Sequence, residues 1–184
     1  MAEPAAGTFR PGVSVGPTSE FSLFFRVKPG HADDLREALR TLQTHPGYRP
    51  GDYDVAIATI HEARFVLFDD DTRLLFATSF DGHWDAYMDD FITSGPTLEL
   101  FDAVFQHVEG YEGLPDVAAV KGFVLGAQRT AAGYARNYPG TVKEIRTALR
   151  VNKAFQRVLD DPEAATALQH PAMKPLLDEA ADSS

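Results

Sequence analysis

His61, Glu62 and Arg64 lie within four positions of one another in the run IHEARFVLF, residues 60–68. An imidazole, a carboxylate and a guanidinium interrupt what is otherwise an apolar strand. A buried strand tolerates such groups only when they are paired or face a cavity, because an unpaired buried charge costs several kcal/mol. With side chains alternating across a strand, Glu62 and Arg64 share a face with Ile60, Val66 and Phe68, and His61 is expected on the other face. Arg64 could orient a substrate carboxylate or enolate oxygen, with Glu62 as its partner or as a base. The same pair could equally be an edge or interface ion pair. His61 could be a general base, a metal or haem ligand, or a core histidine bonded to a carbonyl.

Other chemistry-bearing residues are scattered. His107 precedes the Glu109-Gly110-Tyr111 stretch and is a second candidate should it converge with His61. Trp84 follows a Gly82-His83 break and reads as core or as a pocket lid. Tyr134 and Arg136 share a spacing that could serve a phenolic or carboxylate ligand, and Arg26 lies on the first strand. Arg26, Trp84, His107 and Tyr134 are the candidate substrate-binding set, and His61, Glu62 and Arg64 the candidate catalytic set. The triplet Asp69-Asp70-Asp71 lacks the spaced ligands of a calcium loop and reads as a solvated turn. No nucleophile elbow, phosphate loop, dinucleotide fingerprint or HExxH run is present, and no metal is expected.

These residues sit in a chain of 184 with 44% hydrophobic residues, 13 of them Phe, enough for one sizeable core. The net charge of −10 argues against nucleic acid, whose backbone demands a basic face, and against an anionic membrane surface. With no Cys, thiolate nucleophiles, iron–sulfur clusters and disulfides are excluded. No apolar run approaches the roughly 18 residues that span a bilayer. A cytoplasmic protein is expected.

The elements that must position these side chains can be read from periodicity. Residues 1–19 read as a flexible arm. A strand over 21–28 alternates Phe21, Leu23, Phe25 and Val27 onto one face. Pro29-Gly30 stops it, and a helix follows over 32–44 with Leu35, Leu39 and Leu42 as its stripe. A loop over 46–55 leads to a strand at 59–68, the Asp turn and a strand at 73–80, an antiparallel hairpin. Asp81-Gly82 opens a second helix carrying Trp84, Tyr87, Met88 and Phe91, and another begins at Thr97. Residues 115–127 fit a helix weakened by Gly122 and Gly126. A fourth strand is expected over 129–137, then a capping-box helix from Thr141 to Leu159 and a short terminal helix. The order is βαββαβ with C-terminal helices, the ferredoxin-like α+β arrangement: an arm over 1–19, a domain over 20–160 and a helical tail over 161–184. One sheet face lacks a cover, which pairing with a second copy would supply, so a homodimer is expected.

FFRVKPG before an amphipathic helix, then a strand hairpin and a helix opened by a DG turn, resembles the dimeric α+β barrel superfamily. That group includes cofactor-independent antibiotic-biosynthesis-type monooxygenases, haem-degrading enzymes, chlorite dismutases and dye-decolourising peroxidases. IHEARFVLFDDD, LLFATSFDG, HVEGYEG and NYPGTVKEIRTAL more closely resemble a bacterial family of that fold to which no reaction attaches. The resemblance spans 20–160. It implies a small-molecule oxidoreductase, monooxygenase-like and without an organic cofactor, acting on a partly apolar substrate in a barrel pocket. A non-catalytic ligand-binding dimer and a haem protein with His61 or His107 as axial ligand are the alternatives. The glycine-rich peroxidase signature, a distal Asp–Arg pair and the Asn-Trp-His set of the haem degraders are not found in register.

Overall fold

The computed structural model describes residues 14–49, 57–113 and 116–182, in two units, 1–143 and 144–184. Residues 1–13 of the expected arm, 50–55 of the expected loop, 115 of the expected 115–127 helix and 183–184 of the expected tail lie outside the described residues. In the first unit a sheet is built from β1 (Ser14–Val15), β2 (Thr18–Arg26), β3 (Ile60–Phe68), β4 (Arg73–Asp81) and β5 (Gln128–Arg129). Its helices are α1 (Ala32–Thr44), α2 (Trp84–Thr93), α3 (Gly95–Phe105) and α4 (Val117–Ala127). α5 (Val142–Leu159) begins at the end of this unit and continues into the second.

β4 pairs antiparallel with both β2 and β3, so it lies between two strands that precede it in sequence. β5 pairs antiparallel with the far edge of β2. The order β5-β2-β4-β3 is the ferredoxin-like α+β sheet expected from the sequence. The hairpin turn has Asp69, Asp70 and Asp71 all at positive φ, between 50° and 62°. Aspartate tolerates that region better than most residues because its short side chain bonds locally. Gly30, at φ +79°, makes the break after β2 that Pro29-Gly30 announced.

One face of the sheet carries Phe21, Leu23 and Phe25 of β2 beside Leu74, Phe76 and Phe80 of β4, all buried. The helices lay Leu35, Trp84, Tyr87, Met88, Phe91, Phe101, Val104, Phe105 and Val120 into the same cluster. Phe76 is its centre, 4.7 Å from the Phe65 ring and edge-on to Phe101 at 5.5 Å. Phe80 stacks on Tyr87 at 4.0 Å. Burial holds the Tyr87 hydroxyl well above the usual phenol range, opposed in part by its bond to Thr78. Trp84 is therefore a core residue, 1% exposed, with the Lys121 ammonium 5.9 Å from its ring centre.

The fourth strand is two residues long rather than the nine expected over 129–137. The reason lies in β2, whose outer edge is already in use at both ends. β1 takes Thr18 and Ser19. The segment around Val108 takes the other end, where Lys28 N–H donates to the His107 carbonyl and Glu109 N–H to that of Arg26. Residues 20–25 lie between those two ends, and β5 pairs with Ser22 and Leu23 in their middle. Residues 130–141 run on without strand or helix. The ambiguous 115–127 region is helical from Val117, capped by the Asp116 carboxylate accepting from Ala119 N–H.

The second unit holds the rest of α5, a 3₁₀ turn (Pro162–Ala164), α6 (Ala165–Leu168), a second 3₁₀ turn (Pro171–Met173) and α7 (Lys174–Asp182). Among its described residues Leu149, Val151, Val158 and Leu176 are exposed. No described helix is long and apolar enough to cross a membrane.

Candidate functional site

The outer edge of β3 closes one side of a cavity of about 360 Å³. Its apolar lining comes from Leu39 and Leu42 of α1, Phe101 of α3, and Ile60 and Phe65 of β3. Its polar lining includes Gln43, Tyr48, His61, Glu62 and Arg64. The three residues singled out as catalytic candidates thus line one space. The Tyr48 hydroxyl bonds the Thr97 hydroxyl at 2.6 Å, and burial pushes that phenol above its ordinary range. Glu62 and Arg64 share a face as expected. Their side chains are 68% and 63% exposed and 3.8 Å apart, an ion pair at the rim rather than a buried one. An exposed pair of this kind is worth about 1 kcal/mol or less, so it does little for the fold.

His61 does not obey simple alternation. Ile60 pairs with Phe80 and Glu62 with Ser79, so His61 is the extra residue of a β-bulge. The bulge overturns its expected separation from the Arg64 face, because it aims the ring at Asp81, which has the strand parity of Ser79 and Ala77. His61 Nε2 lies 2.7 Å from Asp81 Oδ1, and the His61 side chain is only 4% exposed. Asp81 Oδ2 accepts the Val142 N–H at 2.7 Å, the first amide of α5. One carboxylate thereby orients the imidazole and caps a helix, where the dipole favours its charge. A proton on Nε2 directed at Asp81 leaves Nδ1 with its lone pair.

Arg136 completes the group. Its Nη2 donates to the Gly140 carbonyl at 2.6 Å and sits 3.0 Å from His61 Nε2 and 3.3 Å from Nδ1. The guanidinium lies over the Tyr138 ring, 4.5 Å from its centre, and that ring is 5.9 Å from the imidazole. Arg136 Nε and Nη1 are buried with no hydrogen-bond partner. Orphaned donors are costly, and an acceptor oxygen would relieve them.

The remaining candidates do not join this group. Arg26 pairs with Arg73 at the opposite end of β2 and β4. Tyr134 lies half-buried in the irregular 130–141 segment. His107 sits beyond α3 against the Lys28 end of β2, roughly 25 Å of strand away from the His61 end. The convergence of His61 and His107 is therefore not found. Instead His107 Nδ1 meets His31 Nδ1 at 3.1 Å. Burial chiefly, with the neighbouring His31, lowers the His107 pKa from its ordinary value.

The Arg136 guanidinium stands beside both nitrogens of His61 and opposes a cation there.

Sequence reasoning missed Asp81 and His31 as partners. Asp81 was legible only as half of a DG turn, and nothing marks a bulge in advance.

No family model matches the chain, and no curated protein does. The solved structures similar to it include the following two. One, described as a "putative antibiotic biosynthesis monooxygenase" from Bordetella bronchiseptica, is 15% identical, with 50% of this chain and 87% of that one covered, at a TM-score of 0.39. The other, of the same description from Nitrosomonas europaea, is 17% identical, with 56% and 96% covered, at 0.38. By its own strand order the chain has a ferredoxin-like α+β sheet.

Proposed function

We propose that this protein is a small-molecule enzyme that removes a proton from a hydroxyl of a partly apolar organic substrate and, monooxygenase-like, leaves the anion to react with oxygen. The observation that carries this reading is the β3-edge cavity with His61 in its wall and Asp81 fixed behind the imidazole at 2.7 Å. The apolar body of the substrate packs on Leu39, Leu42, Phe65 and Phe101 on the helix-covered side, and its hydroxyl reaches round the edge of β3 to the imidazole on the other face. His61 Nδ1 accepts the hydroxyl proton, and Asp81 stabilises the imidazolium that results. Arg64 at the rim is freed from Glu62 to take a carboxylate or the new oxyanion. For a phenol, the balance is one O₂ consumed per quinone formed. One oxygen atom enters the ring, and the other leaves as water with two substrate hydrogens. No organic cofactor takes part.

The test uses 4-nitrophenol, whose visible band reports its anion, at a pH below its own pKa. The wild-type chain is expected to raise that band on binding, and His61→Gln to cut the rise by about tenfold or more. An equal rise in His61→Gln removes the assignment. Binding without any rise favours the non-catalytic ligand-binding protein instead.

A homodimer across the open sheet face belongs to the same reading. Phe24, Phe68 and Leu75 are half-buried and Val66 is 41% exposed on that face. Sedimentation equilibrium is expected to return twice the chain mass, falling toward the single mass in Val66→Glu. A wild-type protein of single mass at all loadings would refute it.

A further inference from the structure

A second group of ligating side chains lies at the other end of the sheet, independent of the His61 site. We propose that His31, Asp34 and His107 bind a divalent first-row transition metal ion through two imidazole Nδ1 atoms and one carboxylate oxygen. The ligand atoms all lie within 4.8 Å of one another. The two nitrogens are 3.1 Å apart. Two imidazoles on a tetrahedral ion with bonds of about 2.0–2.1 Å have their nitrogens about 3.3 Å apart, so the rings need move only slightly.

The local fold holds these atoms in place. His31 is the residue just before α1, its N–H donating to the Lys28 carbonyl at 3.1 Å. Asp34 is three residues on, on the same side of the first helical turn. His107 accepts the Lys28 N–H on its carbonyl at 2.9 Å. Both histidines are thus tied to the backbone of one residue, and little ordering remains to be done on binding. The Lys28 ammonium, bonded to the Gln106 carbonyl, opposes a cation here, and the Asp34 carboxylate counters it.

The donor set decides the class of ion. Two imidazoles and one carboxylate suit zinc and its neighbours, whereas calcium and magnesium prefer oxygen alone. Three protein ligands leave a position for water or substrate, the open form of such a site. The sequence expectation of no metal did not see His31 beside His107.

The experiment titrates untagged full-length protein, stripped with chelator, with zinc by calorimetry and with cobalt by visible absorption. One equivalent of each is expected, cobalt giving the intense band of a four-coordinate ion. Asp34→Asn, at an exposed position, should weaken zinc about tenfold, and the His31→Ala/His107→Ala double variant should abolish the equivalent. Failure of the wild type to take up either ion overturns the proposal. So does Asp34→Asn binding zinc as tightly as wild type, which decides the matter even if the double variant does not fold. Neither outcome touches the 4-nitrophenol reading.

Discussion

Asp81→Asn will lower proton abstraction from a bound phenol by about 10²-fold, the lower end of what a positioned acid–base pair contributes. The carboxylate accepts two hydrogen bonds, one on each oxygen, from His61 Nε2–H and from Val142 N–H. An amide offers an acceptor on one side only. With its oxygen toward Val142, its NH₂ group faces Nε2 and donates there, which forces the imidazole proton onto Nδ1. The lone pair that takes the substrate proton is then gone, although nothing has changed in shape. With its oxygen toward His61, the NH₂ group instead opposes the Val142 N–H and α5 loses its cap. The first orientation keeps both bonds and loses the base, whereas the second breaks a buried bond at a cost of about 1–3 kcal/mol. The measurement is the rate of anion formation with 4-nitrophenol, together with the urea midpoint. Unchanged anion formation in a folded Asp81→Asn protein would show that Asp81 serves the helix and not the imidazole.

Phe76→Ala will destabilise the first unit by about 3–5 kcal/mol, the range for emptying a buried aromatic site. Phe76 is 3% exposed and its ring meets those of Phe21, Phe65, Phe101 and Phe105. It therefore couples β2, β3 and α3, and no single neighbour can shift to fill the void without uncovering another. Phe76→Leu, which keeps most of the volume, should cost well under half as much. Equilibrium urea unfolding of the two variants provides the check. A loss in Phe76→Ala of less than about 1 kcal/mol would mean the aromatic cluster is not the core described here.

The elements were legible where one rule sufficed. Phe21, Leu23 and Phe25 alternate because that strand has a dry face and a wetter one. Leu35 and Leu42 recur at helical spacing because α1 lies on that dry face. The Asp turn between two apolar runs could only be a hairpin. What stayed hidden depended on other parts of the chain. The tyrosine-bearing stretch 130–141 has strand-like residues, yet pairing needs a free partner edge and both ends of β2 were already taken. An inserted residue at His61 shifts a side chain across the sheet, and period-two counting assumes no insertion. His61, Glu62 and Arg64 were recognisable as polar intruders in an apolar strand, but the aspartate and the guanidinium behind His61 are remote in sequence. His31 and His107 meet only because both are tied to Lys28.

The piecewise sealing of β2 sets an order on how the polypeptide matures as it leaves the ribosome. Three stretches far apart in sequence share that strand as their template, and the last of them is Gln128-Arg129. Until those two residues emerge, the middle of the strand offers bare amides and carbonyls to any extended segment nearby. The nascent chain thus carries an open slot through most of its synthesis, and a dipeptide shuts it.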